Sequence, residues 1–165
     1  MVLLDVMERA RDSNILVVTS AGNDGLNNDF LKSIDDPQIT LQHYPSDINL
    51  KNIISTAALG ISDNLLWIES DTVGSNYGVF NVDVAANGER ILSAHPGGSA
   101  LLSGTSMAAG QITRIAAIKS YQSGLQGKDL KNAILNFANS GANTTIPLVN
   151  DGKIMTNAGI TTAIQ

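Results

Sequence analysis

The 165 residues contain no cysteine. Disulfides, thiolate nucleophiles and cysteine-ligated zinc are therefore excluded. The compartment is not fixed by this, because secreted enzymes also manage without cysteine. Aromatic residues make up only 4% of the chain, so a core has to be assembled from Val, Ile, Leu and Ala. Charged residues are few at 15%, and their balance is acidic, with a formal net charge of -5. No Lys/Arg cluster interrupts that balance, which argues against a phosphate-backbone partner, so no nucleic acid is expected. No apolar run reaches the length of a membrane span, and no membrane partner is expected. The opening stretch, Met1 to Arg11, mixes acidic residues into an amphipathic pattern and does not read as a signal peptide. Histidine is nearly absent: only His43 and His95 occur.

What is present suits one soluble globular domain. A chain of this length buries about 70% of its unfolded surface, and 43% of its residues are hydrophobic. Leu3, Val6, Met7 and Ala10 recur at helical spacing, predicting a helix over 2–12. The run Ile15 to Thr19 is β-branched and continuously apolar, as in a buried parallel strand. It ends in the turn-forming cluster Ala21-Gly22-Asn23-Asp24-Gly25. Residues 26–50 are polar and irregular and read as a long surface loop. Further strands are expected over 53–58 and 82–86, the latter followed by a turn at Asn87-Gly88. A hairpin-like pair is expected over 91–94 and 100–102, around Pro96-Gly97-Gly98. Helices are expected over 106–121 and over 128–139, the second with Leu130, Ile134 and Phe137 on one stripe, and a further helical piece near 156–164. This alternation predicts an α/β fold with a parallel sheet.

The stretch Ser103-Gly104-Thr105-Ser106-Met107-Ala108-Ala109 carries the chemistry. A glycine-led turn delivers a serine to the start of an Ala/Ile-rich helical run. Unpaired N–H groups at a helix N-terminus favour developing negative charge, as a serine nucleophile requires.

Four segments, in order, resemble the subtilisin-like serine proteases, or subtilases. They are Val17-Val18-Thr19-Ser20-Ala21-Gly22-Asn23, Asn52 to Ala58, Ser75-Asn76-Tyr77-Gly78 with Val82-Asp83-Val84-Ala85-Ala86, and Gly104-Thr105-Ser106-Met107-Ala108-Ala109. The segment Gly152 to Ala158 looks like the family's closing segment. The resemblance implies a three-layer α/β fold around a parallel sheet of subtilisin type, without the family's N-terminal strands, so that residues 1–165 form a partial subtilase catalytic domain. It implies peptide-bond hydrolysis through an acyl-enzyme. Ser106 would be the nucleophile and Asn23 the side-chain donor of the oxyanion hole. Ser20, Ala21, Gly22, Gly104 and Thr105 would contact substrate, and His43, Tyr44 and Pro45 lie where the family closes its specificity pocket.

The family's Asp-Thr-Gly and His-Gly-Thr segments have no counterpart here, and His43 and His95 are expected to serve as loop residues. A serine without its base is a poor nucleophile, so the chain alone is expected to be inactive. Local departures from the family, with Gly110 in place of a proline, Arg114 of a glycine and Asn87 of a proline, read as relaxed constraint on the helix or as a helix with one face uncovered. The expected partners are a peptide or protein substrate and either further copies of the chain, as a homo-oligomer, or a complementing N-terminal half. No cofactor and no metal ligand is assigned. Calcium is the one ion the resemblance admits, for the intact family domain, and Asp24, Asp29, Asp35, Asp36 and Asp47 read as a solvated loop. An extracellular or periplasmic location is what the family implies for a parent protein. Two other readings stay open: a non-catalytic protein that keeps the fold for binding or self-assembly, and a degenerate nucleophile elbow of an α/β-hydrolase.

Overall fold

The computed structural model describes residues 2–30, 43–61, 66–140, 149–150 and 153–155. Helix α1 spans Val2–Asp12. Strand β1 spans Val17–Ser20, β2 Ile53–Leu59, β3 Ile68–Ser70, β4 Val73–Gly74, β5 Val84–Asn87, β6 Ile91–His95 and β7 Gly98–Leu102. Helices α2 (Thr105–Ser123) and α3 (Gly127–Phe137) follow, then β8 (Asn139–Ser140) and β9 (Lys153–Met155). The main sheet runs in the order β1-β2-β5-β9-β8. Its first four strands are parallel, and β8 joins antiparallel to β9.

Every residue of β2 is buried, as expected of a strand covered on both faces. Successive side chains then serve opposite layers. Ile54 and Ala58 of β2, with Val84 and Ala86 of β5 and Met155 of β9, pack against Ala108, Ile112, Ile115, Leu130 and Ile134 from the two helices. Their sequence neighbours Ala57, Leu59, Ala85 and Ile154 face the other way and pack with Ala21, Val82 and Val149. This strict alternation builds a core almost without aromatics. Trp67, 4% exposed, is the exception and belongs to the helix-side cluster.

The helix expected over 2–12 is α1, yet none of its residues is buried among the described ones. Asp5–Arg9 and Glu8–Arg11 pairs lie along it. A hydrogen bond to Asp12 holds the Arg11 guanidinium above its usual range. Helix α2 ends on Gly124 in the left-handed region, whose N–H returns to Ser120 O. In α3, Leu130 and Ile134 bury as the stripe predicts, but Phe137 is 42% exposed. Its ring instead carries the Lys119 ammonium at 3.8 Å from the centroid.

One expectation needs correction, and another lies outside the described residues. Residues 26–50 are not simply a surface loop: Asn28, Ser46, Asp47 and Ile48 are buried, because polar groups in this stretch satisfy one another. Arg114, placed where the family has a close-packing glycine, is exposed on α2, so its charge meets solvent. The helical piece expected near 156–164 lies outside the described residues. The short hairpin of β3 and β4, around Asp71-Thr72, was not legible in the sequence.

Candidate active site

The candidate site forms where β1 ends and α2 begins. Ala21 continues the ladder, its N–H donating to Thr56 O at 2.9 Å. At Gly22 the chain leaves the sheet with φ 112. A Cβ there would come within 2.5 Å of both Asn76 Nδ2 and His43 Nε2. Glycine is required twice over, by backbone angle and by space.

The next residue reaches across to α2. Asn23 Oδ1 accepts the Thr105 backbone N–H at 2.9 Å and the Thr105 hydroxyl at 2.9 Å. Thr105 Oγ1 in turn accepts the Gly22 N–H at 3.3 Å. Gly104, the residue before α2, offers no side-chain cap. Asn23 supplies that cap from 82 residues away. Because a backbone N–H can only donate, the Asn23 amide is fixed with its oxygen toward Thr105. Its Nδ2 makes no hydrogen bond with a described residue, and Asn23 is exposed. Gly104, with φ 143, lies beneath that amide, and a Cβ there would sit 3.2 Å from Nδ2.

Ser106 follows in the first turn of α2 and is exposed. Its hydroxyl makes no hydrogen bond with a described residue. The first turn also leaves backbone N–H groups without helical acceptors. The Ser106 hydroxyl and the Asn23 amide, which is bonded to Thr105, thus lie together at the N-terminus of α2.

The other expected substrate contacts are placed as follows. Ser20 is half-buried, Gly22 is buried, and Ala21 is wholly buried among Ala57, Val82 and Ala85. Thr105 is 1% exposed and acts through Asn23. Tyr44 is exposed and Pro45 half-buried. His43 covers the Cα of Gly22, with Nε2 3.6 Å from Asp24 Oδ2. His95 lies in the β6–β7 turn, exposed, with Nδ1 2.9 Å from Pro96 O.

Two supporting residues went unrecognised in the sequence. Asn76, fully buried, accepts the N–H groups of Asp24 and Leu26 at 2.9 and 3.0 Å and donates to Asn28 Oδ1 at 3.0 Å. It holds the loop after Asn23 in shape. Gly88 accepts the Gly104 N–H at 2.8 Å, and a Cβ on it would meet Ala58 and Gly104 O at 2.6 and 2.7 Å. It lets the nucleophile turn rest on the sheet. The signal for Asn76 was present in Ser75-Asn76-Tyr77-Gly78, but its role there read as local to the turn before Val82.

The acidic residues are used structurally. Asp29 accepts the N–H groups of Val79, Phe80 and Asn81, and Asp47 accepts the N–H of His43 and the hydroxyl of Ser46. Asp35 and Asp36 lie outside the described residues. Among the described residues, no group of three His, Asp or Glu side chains is placed to hold a metal ion.

The sequence profile of the subtilase (peptidase S8) family matches residues 3–154. The chain is 48% identical over 87 residues to subtilisin-like protease 7 of Arthroderma gypseum, covering 48% of this chain and 21% of that protein. Among solved structures, the A-subunit of the AB5 toxin from E. coli matches with TM-score 0.75 and 25% identity over 99% of this chain and 54% of that one. The self-cleaved protease domain of PatA matches with TM-score 0.65 and 24% identity over 98% and 53% of the two chains. The chain thus spans about half the length of these solved relatives. Profile, fold and ordered motifs agree: the chain belongs to the subtilase family.

Proposed function

We propose that this chain is the nucleophile-bearing half of a subtilisin-type serine endopeptidase. Ser106 Oγ attacks the scissile carbonyl carbon, and its proton passes to a histidine base. The carbonyl π electrons move onto oxygen, and that oxyanion is held by Asn23 Nδ2 and the Ser106 N–H. Collapse expels the amine, protonated by the same base, and leaves an acyl-enzyme that water hydrolyses. The Asp and His of this reaction come from outside the 165 residues. The pair of bonds from Thr105 to Asn23 Oδ1 carries the reading, since they hold the Asn23 amide on the residue before Ser106 and leave Nδ2 as its donor.

The neighbouring surface supports a complementing half as partner. β1 is the end of the sheet, and beside it lies a cavity of about 450 Å³ lined by Ile15, Leu16, Val18, Ala116, Ala117 and Leu130. A free strand edge next to apolar surface recruits another chain. Its occupant in this proposal is the Asp- and His-bearing half, since the solved relatives are about twice as long.

The test is labelling by a phosphonofluoridate. The isolated chain is expected to react at the slow rate of an unactivated serine. In subtilisin itself, loss of the histidine lowers turnover about 10⁶-fold, a scale carried over from that enzyme. Adding the Asp- and His-bearing half of a subtilase domain is expected to give rapid, stoichiometric labelling at Ser106. Labelling elsewhere, or none when both halves are present, overturns the proposal. Rapid labelling of the isolated chain overturns the assignment of the base to another segment.

A further inference from the structure

A second concave surface includes Gly25, from the loop that carries Asn23. It is a cavity of about 860 Å³. Leu66, Trp67, Ile61 and Ile68 form its apolar wall, while Asp71 and Glu89 supply its charges. Among the described residues, no Lys, Arg or His lines it.

Two strands of evidence tie this cavity to the reacting corner. Gly25 and Gly74, both in its wall, are joined by the Gly25 N–H to Gly74 O bond of 2.9 Å, and the Gly74 N–H donates to Asn23 O at 3.1 Å. Glu89 follows Gly88, which accepts the N–H of Gly104 two residues before Ser106. The cavity is therefore bounded by the loop that follows Asn23 and by the turn on which the segment before Ser106 rests. Its back wall is firm: Trp67 N–H donates to Ala58 O of β2, and Trp67 O accepts the Ser75 N–H. Glu89 is held by accepting the Ile61 N–H through Oε2 at 2.9 Å, which leaves its second oxygen for a ligand.

We infer that this cavity is a substrate subsite for a basic side chain, Lys or Arg, next to the scissile bond. Such side chains lay an aliphatic stem on apolar surface and keep a charged head at its rim. Here the stem meets Ile61, Leu66 and Ile68, and the head meets Asp71 and Glu89. An acidic side chain meets two like charges at the same place, so the subsite discriminates by repulsion as well as attraction. The inference rests on the endopeptidase reading, but its test does not use the nucleophile.

Trp67 is the single tryptophan of the chain, so its emission reports on this cavity. The 165-residue chain is titrated with acetyl-Ala-Ala-Lys-Ala-amide and with the same peptide carrying Glu or norleucine in place of Lys. The Lys peptide is expected to shift Trp67 emission with a midpoint about fivefold lower than the Glu peptide, the scale set by two exposed ion pairs. Added salt is expected to narrow the gap. The double variant Asp71→Asn with Glu89→Gln, whose amide oxygen still accepts the Ile61 N–H, is expected to lose the Lys preference and to keep the norleucine midpoint. Equal midpoints for Lys and Glu, retained preference in the double variant, or no emission change with any peptide overturns the inference. Phosphonofluoridate labelling of Ser106 in that same variant, with the complementing half present, reads the endopeptidase proposal separately.

Discussion

At the scale of single residues, Asn23 has two duties that chemistry can separate. Its oxygen caps α2 through Thr105, and in the proposed mechanism its nitrogen is the oxyanion donor. Asn23→Ala removes both. A lost cap costs about 1 kcal/mol, so the isolated chain is expected to melt roughly 2–4 °C lower by circular dichroism. Asn23→Asp keeps an acceptor for Thr105 but no N–H donor. It is expected to melt near the parent while lowering turnover of the completed enzyme about 10²–10³-fold, the range known for the oxyanion asparagine of subtilisin. Equal melting of the two variants would show that the Thr105 bonds do not cap the helix. Ser106 and Asn23 were singled out in the sequence because each sits in a short local motif. Asn76 was not, because its partners Asp24, Leu26 and Asn28 lie about fifty positions away. Nothing in the spacing of the chain announces a buried amide serving a distant loop.

At the scale of elements, periodicity found what it measures. Helices α1, α2 and α3 and strands β1, β2 and β5 lie where the apolar pattern predicts, with ends shifted by a few residues, whereas β9, only three residues long, was not expected. β3 and β4 escaped because Ile68-Glu69-Ser70 is wholly exposed and has no alternation. They exist through pairing with each other rather than through a buried face. The central helix also carries a flaw that the sequence did show. Gly110 lies in the interior of α2, is exposed, and has nothing within 4 Å of the place a Cβ would occupy. Gly110→Ala therefore adds helix propensity without a clash, about 1 kcal/mol. The melting temperature is expected to rise by roughly 2–4 °C. A fall on substitution would mean that the helix needs glycine for a close approach that the described contacts do not contain.

At the scale of the whole molecule, the fold is fastened on one side and open on the other. Lys131 of α3 reaches the sheet, pairing with Asp83 at 2.6 Å and donating to Ile53 O, while Asp83 also accepts the Ser55 N–H. These side chains are 15% and 18% exposed, so the pair is largely desolvated and breaking it leaves a charge uncompensated. No comparable tie closes the β1 edge among the described residues. There Val18 and Leu16 are only half-buried, and α1 leaves Val2, Leu3, Leu4 and Val6 exposed. An open strand edge beside an apolar cavity favours association, so the isolated chain is expected to elute from gel filtration above its monomer mass of 17.3 kDa. Ala117 offers a clean probe, because it lines that cavity, is itself exposed, and lies on a helix that tolerates glutamate. Ala117→Glu places a charge where the partner surface would have to desolvate it. It is expected to return the chain to the monomer position and to weaken capture of the complementing half, while the melting temperature of the monomer stays within about 2 °C of the parent, as for a surface substitution. If the parent is already a monomer at high concentration, or if Ala117→Glu associates as the parent does, the β1 edge is not the surface through which this half finds its partner.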